Sequence, residues 1–429
     1  MPRWSKMLAV GCAALMGFIA QPAVAGAKRA DNAPVDPVVQ WNRILLGIVR
    51  TPGAQPATIH PTRSFAIMHG AMVDAIAAID RRSRPYAIGV DNVSRFASPE
   101  AAVDAAAHEV LIALYSAQKA TVDAAFQDAL QSLPDNQDRA DGLRIGQQVA
   151  DRLLALRSRD GADAQPIPYV FGTQPGDYQS TPPNNPPQPQ FTHWRLVTPF
   201  VLAHAAQFRP GPPPALASRR YARDLNEVQA IGVIDSGSAT VDQELIGRFW
   251  NGAIQNYWNE IAQSAAIARH LSTAESARLF ATLNFALADA VIALYDAKYT
   301  YNRWRPVTAI RTADHDGNQA TNVDPNWLPE VTKTPPDPSY PGAHAIVSAA
   351  ASAVLIAFFR NDRIDLTVTS EVLPTETRTF DSFSAAAREA SLSRVFAGVH
   401  FRSDEDAGER LGVAVAAFVI GRLAFPHLH

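Results

Sequence analysis

Apolar residues recur at intervals of three and four positions along most of this chain of 429 residues. In the stretch 62–81 they form one side of a predicted helix: Phe65, Met68, Met72, Ile76 and Ile79. That spacing places side chains on one face of an α-helix and does not fit the twofold period of a strand. The sequence therefore predicts an all-α fold in which amphipathic helices pack as a bundle.

The predicted helices cover most of the chain after its first 35 residues. They span 36–49, 62–81, 98–118, 121–133, 140–157, 218–231, 240–268, 273–301, 343–360, 383–391 and 405–423. The threonine- and valine-rich stretch 364–379 is predicted to be extended, and no internal repeat is evident. A proline-rich segment, 166–199, is interpreted as an ordered surface connection. It is either a wall of a substrate channel, an interface or a plain crossing between helices.

Composition narrows the class of protein. The hydrophobic content of 47% is enough for a large core, and the formal charge of −3 gives no bulk attraction to nucleic acid or to an anionic membrane. We therefore expect a soluble protein without integral membrane association. The one cysteine, Cys12, lies in the leader described next, so a mature chain has neither disulfides nor thiolate chemistry.

The first 25 residues have the features of a secretory signal. Arg3 and Lys6 precede an apolar run at 7–20, and a small-residue cleavage site follows at 23–25. The apolar run is too short to cross a bilayer. A lipoprotein signal ending at Cys12 is the alternative. We expect export to the periplasm or the extracellular space.

The C-terminal stretch 393–404 concentrates polar chemistry within an alanine- and valine-rich background. It contains Arg394, Gly398, His400 and Asp404. Asp404 is four residues after His400, close enough on a helix to hold one imidazole nitrogen and leave the other free. Arg394 and His400 are six apart, so they converge only if the chain turns between them, and Gly398 permits such a turn.

Two earlier stretches carry matching chemistry. Lys298 and Arg305 are seven apart, so both are predicted to project from one face of a helix that Pro306 ends. His344 opens an alanine-rich helix whose first backbone N–H groups can bind an anion. Three cations, a helix start and two histidines together indicate a pocket for a compact tetrahedral oxyanion.

The three motifs, in this order, resemble the superfamily of vanadium-dependent haloperoxidases and type 2 phosphatidic acid phosphatases. Its pattern is K-x6-R-P, then P-S-G-H, then S-R-x3-G-x-H-x3-D. The first motif matches from Lys298 to Pro306 and the third from Ser393 to Asp404. Trp304-Arg305-Pro306 is similar to the soluble bacterial chloroperoxidase-like branch. The resemblance implies a helical bundle of the vanadium haloperoxidase/acid phosphatase type.

The same resemblance implies a role for each matched residue. The residues that would bind vanadate or phosphate are Lys298, Arg305, Gly342, Ala343 and Arg394. His400 would be the vanadium ligand or, in a phosphatase, the nucleophile, with Asp404 orienting it. His344 would be the general acid/base.

The middle motif departs from the family pattern. Gly342-Ala343 stand where the family has Ser-Gly, so a hydroxyl donor is lost, although the Ala343 N–H can still serve. Asp337 stands where the fungal enzymes have an aromatic residue near the halide site. A carboxylate there would repel halide, which brings halide oxidation into question even if vanadate binds.

Three functions stay open from the sequence. The first is an exported vanadium-dependent haloperoxidase that uses hydrogen peroxide to oxidise a halide at a His400-bound vanadate. The second is an acid phosphatase that needs no cofactor and cleaves a phosphate ester through a phosphohistidine. The third is an inactive helical binding protein. Uncompensated cations in a pocket are costly unless an anion is present, which argues against the third. Binding to nucleic acid is not expected, and a homodimer is left open.

All of these motifs lie after residue 295, which suggests how the chain is divided. We predict a signal peptide at 1–25 and an N-terminal helical region at 26–270 that packs on the core. A C-terminal helical region at 271–429 carries the oxyanion site.

Overall fold

The computed structural model describes residues 36–80 and 84–423; the predicted signal peptide lies outside these ranges. The helices are α1 (Pro37–Arg50), α2 (Pro61–Ile79), α3 (Pro99–Leu114), α4 (Lys119–Gln131), α5 (Gln137–Arg157), α6 (Arg219–Ile231), α7 (Val241–Phe249), α8 (Ile254–Ala268), α9 (Thr273–Tyr301), α10 (Pro306–Arg311), α11 (Ala343–Phe359), α12 (Phe383–Phe396) and α13 (Arg402–Leu423). One antiparallel hairpin joins β1 (Arg363–Thr369) to β2 (Thr377–Ser382). The predicted all-α fold is confirmed, and the hairpin lies in the stretch expected to be extended.

Helix α9 is the central element of the bundle. It begins with a capping box, in which Ser272 Oγ accepts from Glu275 N and the Glu275 side chain accepts from Ser272 N. Nearly all of its residues are buried, and α2 and α11 both pack on it. By length and composition α9 could cross a membrane, but its apolar window lies wholly inside the protein. It is therefore placed as a core helix, apolar on all sides because neighbours surround it.

One hydrophobic core runs through the described chain. Its buried members extend from Val38 in α1 to Val419 in α13, and they include both the central helix and the alanine-rich helices around it. A smaller cluster of buried residues joins α6 to Trp304, Trp327 and Phe401 near the site motifs.

Two pairs of helices pack in the same way, a repeat that the sequence did not reveal. On α5, Gly142 and Gly146 face the first turns of α3; on α13, Gly408 and Gly412 face the first turns of α11. A Cβ at Gly146 would lie 2.9 Å from the Ala105 Cβ, and one at Gly412 would lie 3.0 Å from the Ala349 Cβ. Each pair thus needs glycine, because the two helices touch backbone to backbone.

The backbone contacts of the two pairs also correspond. The Ser98 N–H donates to the Asp138 carbonyl at 2.8 Å, and the Gly342 N–H donates to the Asp404 carbonyl at 3.0 Å. In both pairs, a carbonyl four residues before the first glycine therefore accepts a hydrogen bond from the N-cap residue of the partner helix. The helix pair that carries the site motifs, α11 and α13, has a counterpart in α3 and α5.

The stretch 240–268 was predicted as one helix, and that prediction is wrong. Helix α7 ends at Phe249 and α8 begins at Ile254, because Asn251-Gly252 interrupts the helical pattern. The proline-rich segment does form an ordered connection. Its Tyr178 N–H donates to the Asn302 carbonyl at 2.7 Å and its Gln190 N–H to the Pro336 carbonyl at 2.9 Å. It therefore packs between the end of α9 and the loop that precedes α11.

Candidate oxyanion site

The turn between α12 and α13 brings Arg394 and His400 to one place, as predicted. Gly398 has a φ of +77°, and a Cβ there would lie 2.9 Å from the Cα of Pro329. The left-handed backbone and the close neighbour both require glycine. Arg394 lies in the last turn of α12, and His400 precedes α13.

One nitrogen of His400 is held by a carboxylate. The Nδ1 atom lies 3.2 Å from Asp404 Oδ2, which also accepts from the Ser339 hydroxyl at 2.5 Å. Burial raises the pKa of Asp404 to about 6, and hydrogen bonds from Ser339 and Phe401 oppose that rise. Burial and the nearby cations lower the pKa of His400 well below its usual value. His400 is therefore a neutral imidazole, and an Nδ1 proton donated to Asp404 leaves a lone pair on Nε2.

Lys298 and Arg305 were predicted to lie on one helix, and that prediction is wrong. Helix α9 ends at Tyr301, because Asn302 adopts a left-handed conformation with φ of 48°. Pro306 does not stop that helix; it occupies the first turn of α10, where a proline is favoured. Lys298 and Arg305 nevertheless meet at the side chain of Asp337.

Asp337 forms a buried ion pair with both cations. Its Oδ1 lies 3.0 Å from Lys298 Nζ and 2.5 Å from Arg305 Nη2. Burial raises the pKa of Asp337, but Lys298 and Arg305 outweigh it and hold the pKa below its usual value. The single charge of Asp337 thus offsets one of the two positive charges that it binds. The expectation of uncompensated cations is therefore wrong in part for this pair.

The cations and the second histidine surround His400. After burial, the largest influences that lower the pKa of His400 are Arg305, Lys298, Arg394 and His344. Arg305 Nη1 lies 2.9 Å from His400 Nε2, and it also donates to the Val399 carbonyl at 2.8 Å. The structure therefore brings all three predicted cations and both predicted histidines together.

The start of α11 forms another wall of the site. Gly342 occupies the N-cap position and Ala343 the first helical position, and no side chain in the described ranges caps the helix. The His344 Nε2–H donates to the Trp250 carbonyl at 2.8 Å, and burial lowers the pKa of His344 well below its usual value. His344 is therefore neutral, with its proton fixed on Nε2.

Arg394 is bound less completely than the other two cations. Its Nη1 donates to Asn251 Oδ1 at 3.1 Å, whereas its buried Nε has no hydrogen-bond partner among the described residues. Burial lowers the pKa of Arg394 to about 10, and Glu405 opposes that shift. The guanidinium thus keeps a donor free for a ligand.

Glu405 fills the space beside Gly342. A Cβ at Gly342 would lie 2.6 Å from the Glu405 Cδ, so no larger residue fits there without movement. Both carboxyl oxygens of Glu405 are buried, and neither has a hydrogen-bond partner in the part of the chain that is described. Burial raises the pKa of Glu405 well above its usual value, and Asp404 adds to that rise. The place of the family's serine is thus taken by the carboxyl group of Glu405, which comes from α13.

The sequence did not predict four contributions to the site: the ion pair of Asp337, the hydroxyl of Ser339, the break at Asn251 and the carboxyl of Glu405. Asn251-Gly252 is a turn signal that favours a helix break, and Ser339 lies five residues before His344. Asp337 was noted as a departure from the family, but its partners were not predicted. Nothing in the sequence distinguishes Glu405 from a solvated carboxylate in the first turn of a helix.

The residues present fit a tetrahedral oxyanion. The Arg394 Nε and the start of α11 offer donors without a side-chain partner in the described ranges, and Arg394 and His344 lie near enough to His400 to lower its pKa. Within the described ranges there is no group of three or more His, Cys, Asp or Glu side chains that could hold a metal cation. The cations and the imidazole brought together here are groups suited to an anion.

Comparison with known proteins agrees with this geometry. A family model described as the VCPO second helical-bundle domain matches residues 278–426, which contain all three motifs. The chain is 23% identical over 344 residues to a vanadium chloroperoxidase of Curvularia inaequalis. The chain is thus similar to vanadium haloperoxidases, and the matched family model covers residues 278–426. That match covers 61% of this chain and 56% of the Curvularia enzyme, so the chain spans little more than half of its length.

Solved structures of the superfamily share the fold over most of the chain. The structure of a bacterial vanadium-dependent iodoperoxidase superposes with a TM-score of 0.76 at 26% identity, covering 92% of this chain and 98% of that one. A holo-type bacterial vanadium-dependent chloroperoxidase superposes with a TM-score of 0.66 at 16% identity, covering 88% and 95%. The second likeness shows the fold alone.

Proposed function

We propose that this protein is a vanadium-dependent haloperoxidase, which uses hydrogen peroxide to oxidise a halide at a vanadate held by His400. The observation that carries the proposal is the buried His400, whose Nδ1 faces Asp404 and whose Nε2 faces the cations. In the anion-free protein the Nε2 lone pair accepts from Arg305 Nη1, and a histidine whose Nδ1 is held in this way could bind an electrophilic centre once Arg305 releases Nε2. The superfamily relatives described above are named as vanadium chloroperoxidases and an iodoperoxidase.

The residues that would hold vanadate are those of the site. A bound vanadate supplies the Lewis-acid centre that activates hydrogen peroxide toward a halide. Arg394 and the first N–H groups of α11 would bind its oxygens and neutralise their charge. His400 would hold the group through Nε2, and Asp404 would keep the imidazole in the required tautomer.

His344 is the residue proposed to move protons. Its Nε2 proton is donated to the Trp250 carbonyl, so the neutral ring keeps its lone pair on Nδ1. It would take a proton from hydrogen peroxide at Nδ1 and return it to the leaving oxygen. The low pKa of His344 keeps it unprotonated in the anion-free protein, and a bound anion would raise that pKa and make the ring a stronger base.

An acid phosphatase is the second candidate, and Asp337 favours it. Asp337 opposes bound vanadate and a bound phosphate ester alike, but only the haloperoxidase must also bring in a halide, which the carboxylate repels as well. His400 Nε2 would attack phosphorus and displace the alkoxide, which would take a proton from Nδ1 of His344 in the protonated form that a bound anion favours. Water would then cleave the phosphohistidine to release inorganic phosphate.

An inactive binding protein is the third candidate. The pairing of Lys298 and Arg305 with Asp337 removes part of the argument against it, because Asp337 offsets part of their charge without a bound anion. Against it stands the buried Nε of Arg394, which has no hydrogen-bond partner in the described ranges, since such a donor is costly unless a ligand satisfies it.

The test is halide oxidation by purified protein that has been loaded with orthovanadate in phosphate-free buffer. Bromide and iodide are each supplied with hydrogen peroxide. We expect vanadate-dependent turnover that His400→Ala abolishes, whereas His315→Ala, at an exposed histidine, leaves it unchanged. Folded protein that binds vanadate without oxidising either halide would contradict the haloperoxidase proposal. Hydrolysis of a phosphomonoester by that protein, lost in His400→Ala, would establish the phosphatase.

The cellular setting is proposed on the sequence alone. The leader at 1–25 supports export to the periplasm or beyond, with hydrogen peroxide and a halide, or a phosphate ester, as the small-molecule substrates. A homodimer is compatible with these proposals. Size-exclusion chromatography with light scattering measures the oligomeric state.

A further inference from the structure

The side chain of Asp337 uses the donors that an oxyanion would need. Lys298 has three N–H donors, and they point to Asp337 Oδ1, the Pro338 carbonyl and the Ser339 carbonyl. Every donor of Lys298 is therefore engaged within the protein. The Asp337 contact is the only one of the three that involves a side chain, so it is the contact that can be released without moving backbone.

Arg305 is engaged in the same way. Its Nε donates to the Asp337 carbonyl at 2.8 Å and its Nη2 to Asp337 Oδ1. Its Nη1 donates to the Val399 carbonyl and to His400 Nε2. Asp337 thus accepts from two of the three guanidinium nitrogens, one through its backbone carbonyl and one through its side chain. All three residues are almost completely buried, with exposed fractions of 0% for Lys298, 1% for Arg305 and 5% for Asp337.

We propose that Asp337 is a resident anion that competes with a bound oxyanion for Lys298 and Arg305, and that it thereby sets the oxyanion affinity of the site. The inference rests on the proposed oxyanion site but not on halide oxidation. An oxyanion that enters the site must release Asp337 from at least Lys298. It must also bear the repulsion of a buried carboxylate nearby, where charges interact more strongly than in water.

The same contacts give Asp337 an opposite effect on the anion-free protein. Two buried cations without a partner are strongly destabilising, and Asp337 supplies that partner. Removing its charge should therefore lower the stability of the anion-free protein and increase the gain in stability when an oxyanion binds. The two changes have opposite signs, and a residue that only packs the site would not produce both.

The experiment compares wild type with Asp337→Asn and Asp337→Ser, which remove the charge and keep a hydrogen-bond acceptor. Binding of orthovanadate and of inorganic phosphate is measured by equilibrium dialysis, and the melting temperature is measured with and without each anion. We expect dissociation constants lower by on the order of tenfold, a factor that corresponds to about 1.4 kcal/mol. We also expect a lower melting temperature without anion and a larger rise with it.

The matched control is Asp296→Asn. Asp296 lies on α9 near Lys298 but pairs with Arg209, so this change removes the same unit charge outside the site. Its anion affinity should equal that of wild type. An equal gain in Asp296→Asn would overturn the proposal, because overall charge would then explain the effect.

Other outcomes overturn the proposal directly. The first is anion binding that is unchanged or weaker in the folded Asp337 variants. The second is no anion binding by any of the proteins. The third is that the Asp337 variants do not fold and that saturating vanadate does not restore their folding. Failure of the proposed function looks different. Tighter vanadate binding by Asp337→Asn without halide oxidation by wild type supports the inference and refutes the haloperoxidase. Halide oxidation by wild type, with the same vanadate affinity in Asp337→Asn as in wild type, supports the haloperoxidase and refutes the inference.

Discussion

Helices α3 and α11 begin in matching surroundings, yet only α3 is capped by a side chain within the described ranges. In α3 the N-cap Ser98 accepts from the Ala101 N–H at 3.1 Å. In α11 the N-cap is Gly342, and the first turn has no side-chain cap in the described part of the protein. The backbone contact that positions each N-cap residue is otherwise the same.

The difference shows which features belong to the fold and which to the site. The glycine contacts and the N-cap backbone bonds occur in both pairs, so they serve packing. The uncapped helix start and the surrounding cations belong to the α11 pair. A cap satisfies the first N–H groups of a helix, whereas its absence leaves them for a ligand. The proposed function is thus located in the pair whose polar groups the protein leaves unsatisfied.

The buried carboxylates of α2 and α9 differ from the site, because backbone hydrogen bonds satisfy both of them. Asp74 on α2 accepts from three consecutive backbone N–H groups, at 86–88, and Asp289 on α9 accepts from three at 200–202. Burial raises the pKa of each to about 6, and these hydrogen bonds oppose the rise. Glu405 is equally buried but lacks such donors in the described chain, which sets it apart as part of the site.

The largest expected effect tests the shared packing. Gly146→Ala and Gly412→Ala should each destabilise the protein by about 1–3 kcal/mol or more, because the new Cβ would overlap a carbonyl oxygen of the partner helix. Urea denaturation measures both. Similar losses of unfolding free energy in the two variants would support equivalent packing of the two helix pairs. A loss in only one variant would show that the pairs do not pack in the same way.

A control for these variants lies on α13 itself. A Cβ added at Gly421 would have no atom of another element within 4 Å in the described chain, so Gly421→Ala meets no neighbour there. It should raise stability slightly, by up to about 1 kcal/mol, because alanine favours the helix more than glycine does. If it destabilised as much as Gly412→Ala, helix packing would not be the cause.

A second prediction restores the family's serine. Gly342→Ser should cost about 1–3 kcal/mol, because its Cβ would overlap the Glu405 carboxyl. Glu405→Ala should recover most of that loss when combined with it, although Glu405→Ala alone leaves a cavity. The double-mutant cycle is measured by thermal and urea denaturation. Additive losses would show that Glu405 does not occupy the space that the serine needs.

Much of the fold could be predicted from the sequence, because helical periodicity and capping are local properties. The 29 residues of α9 and its capping serine follow from such signals. The break between α7 and α8 was missed because aromatic residues on both sides continue the helical pattern. The repeated glycine contacts were missed because each becomes visible only when two distant helices are placed together.

The site could be predicted only where its residues lie in recognisable motifs. Arg394, His400 and Asp404 converge because Gly398 turns the chain, which their spacing indicated. The partners of Lys298 and Arg305 could not be predicted, because Asp337 reaches them through tertiary packing across more than 30 positions of sequence. Glu405 was missed for the same reason.

The smallest effect is expected at the capped helix start. Ser98→Ala should cost about 1 kcal/mol, because the N–H group that Ser98 satisfies would lose its partner, and Ser98→Gly should cost only a few tenths. Neither change should alter vanadate or phosphate affinity, because α3 carries none of the site cations. Denaturation and equilibrium dialysis measure the two properties on the same samples. A change in anion affinity would mean that the two helix pairs are coupled, so that the α3 pair contributes to the site and not to packing alone.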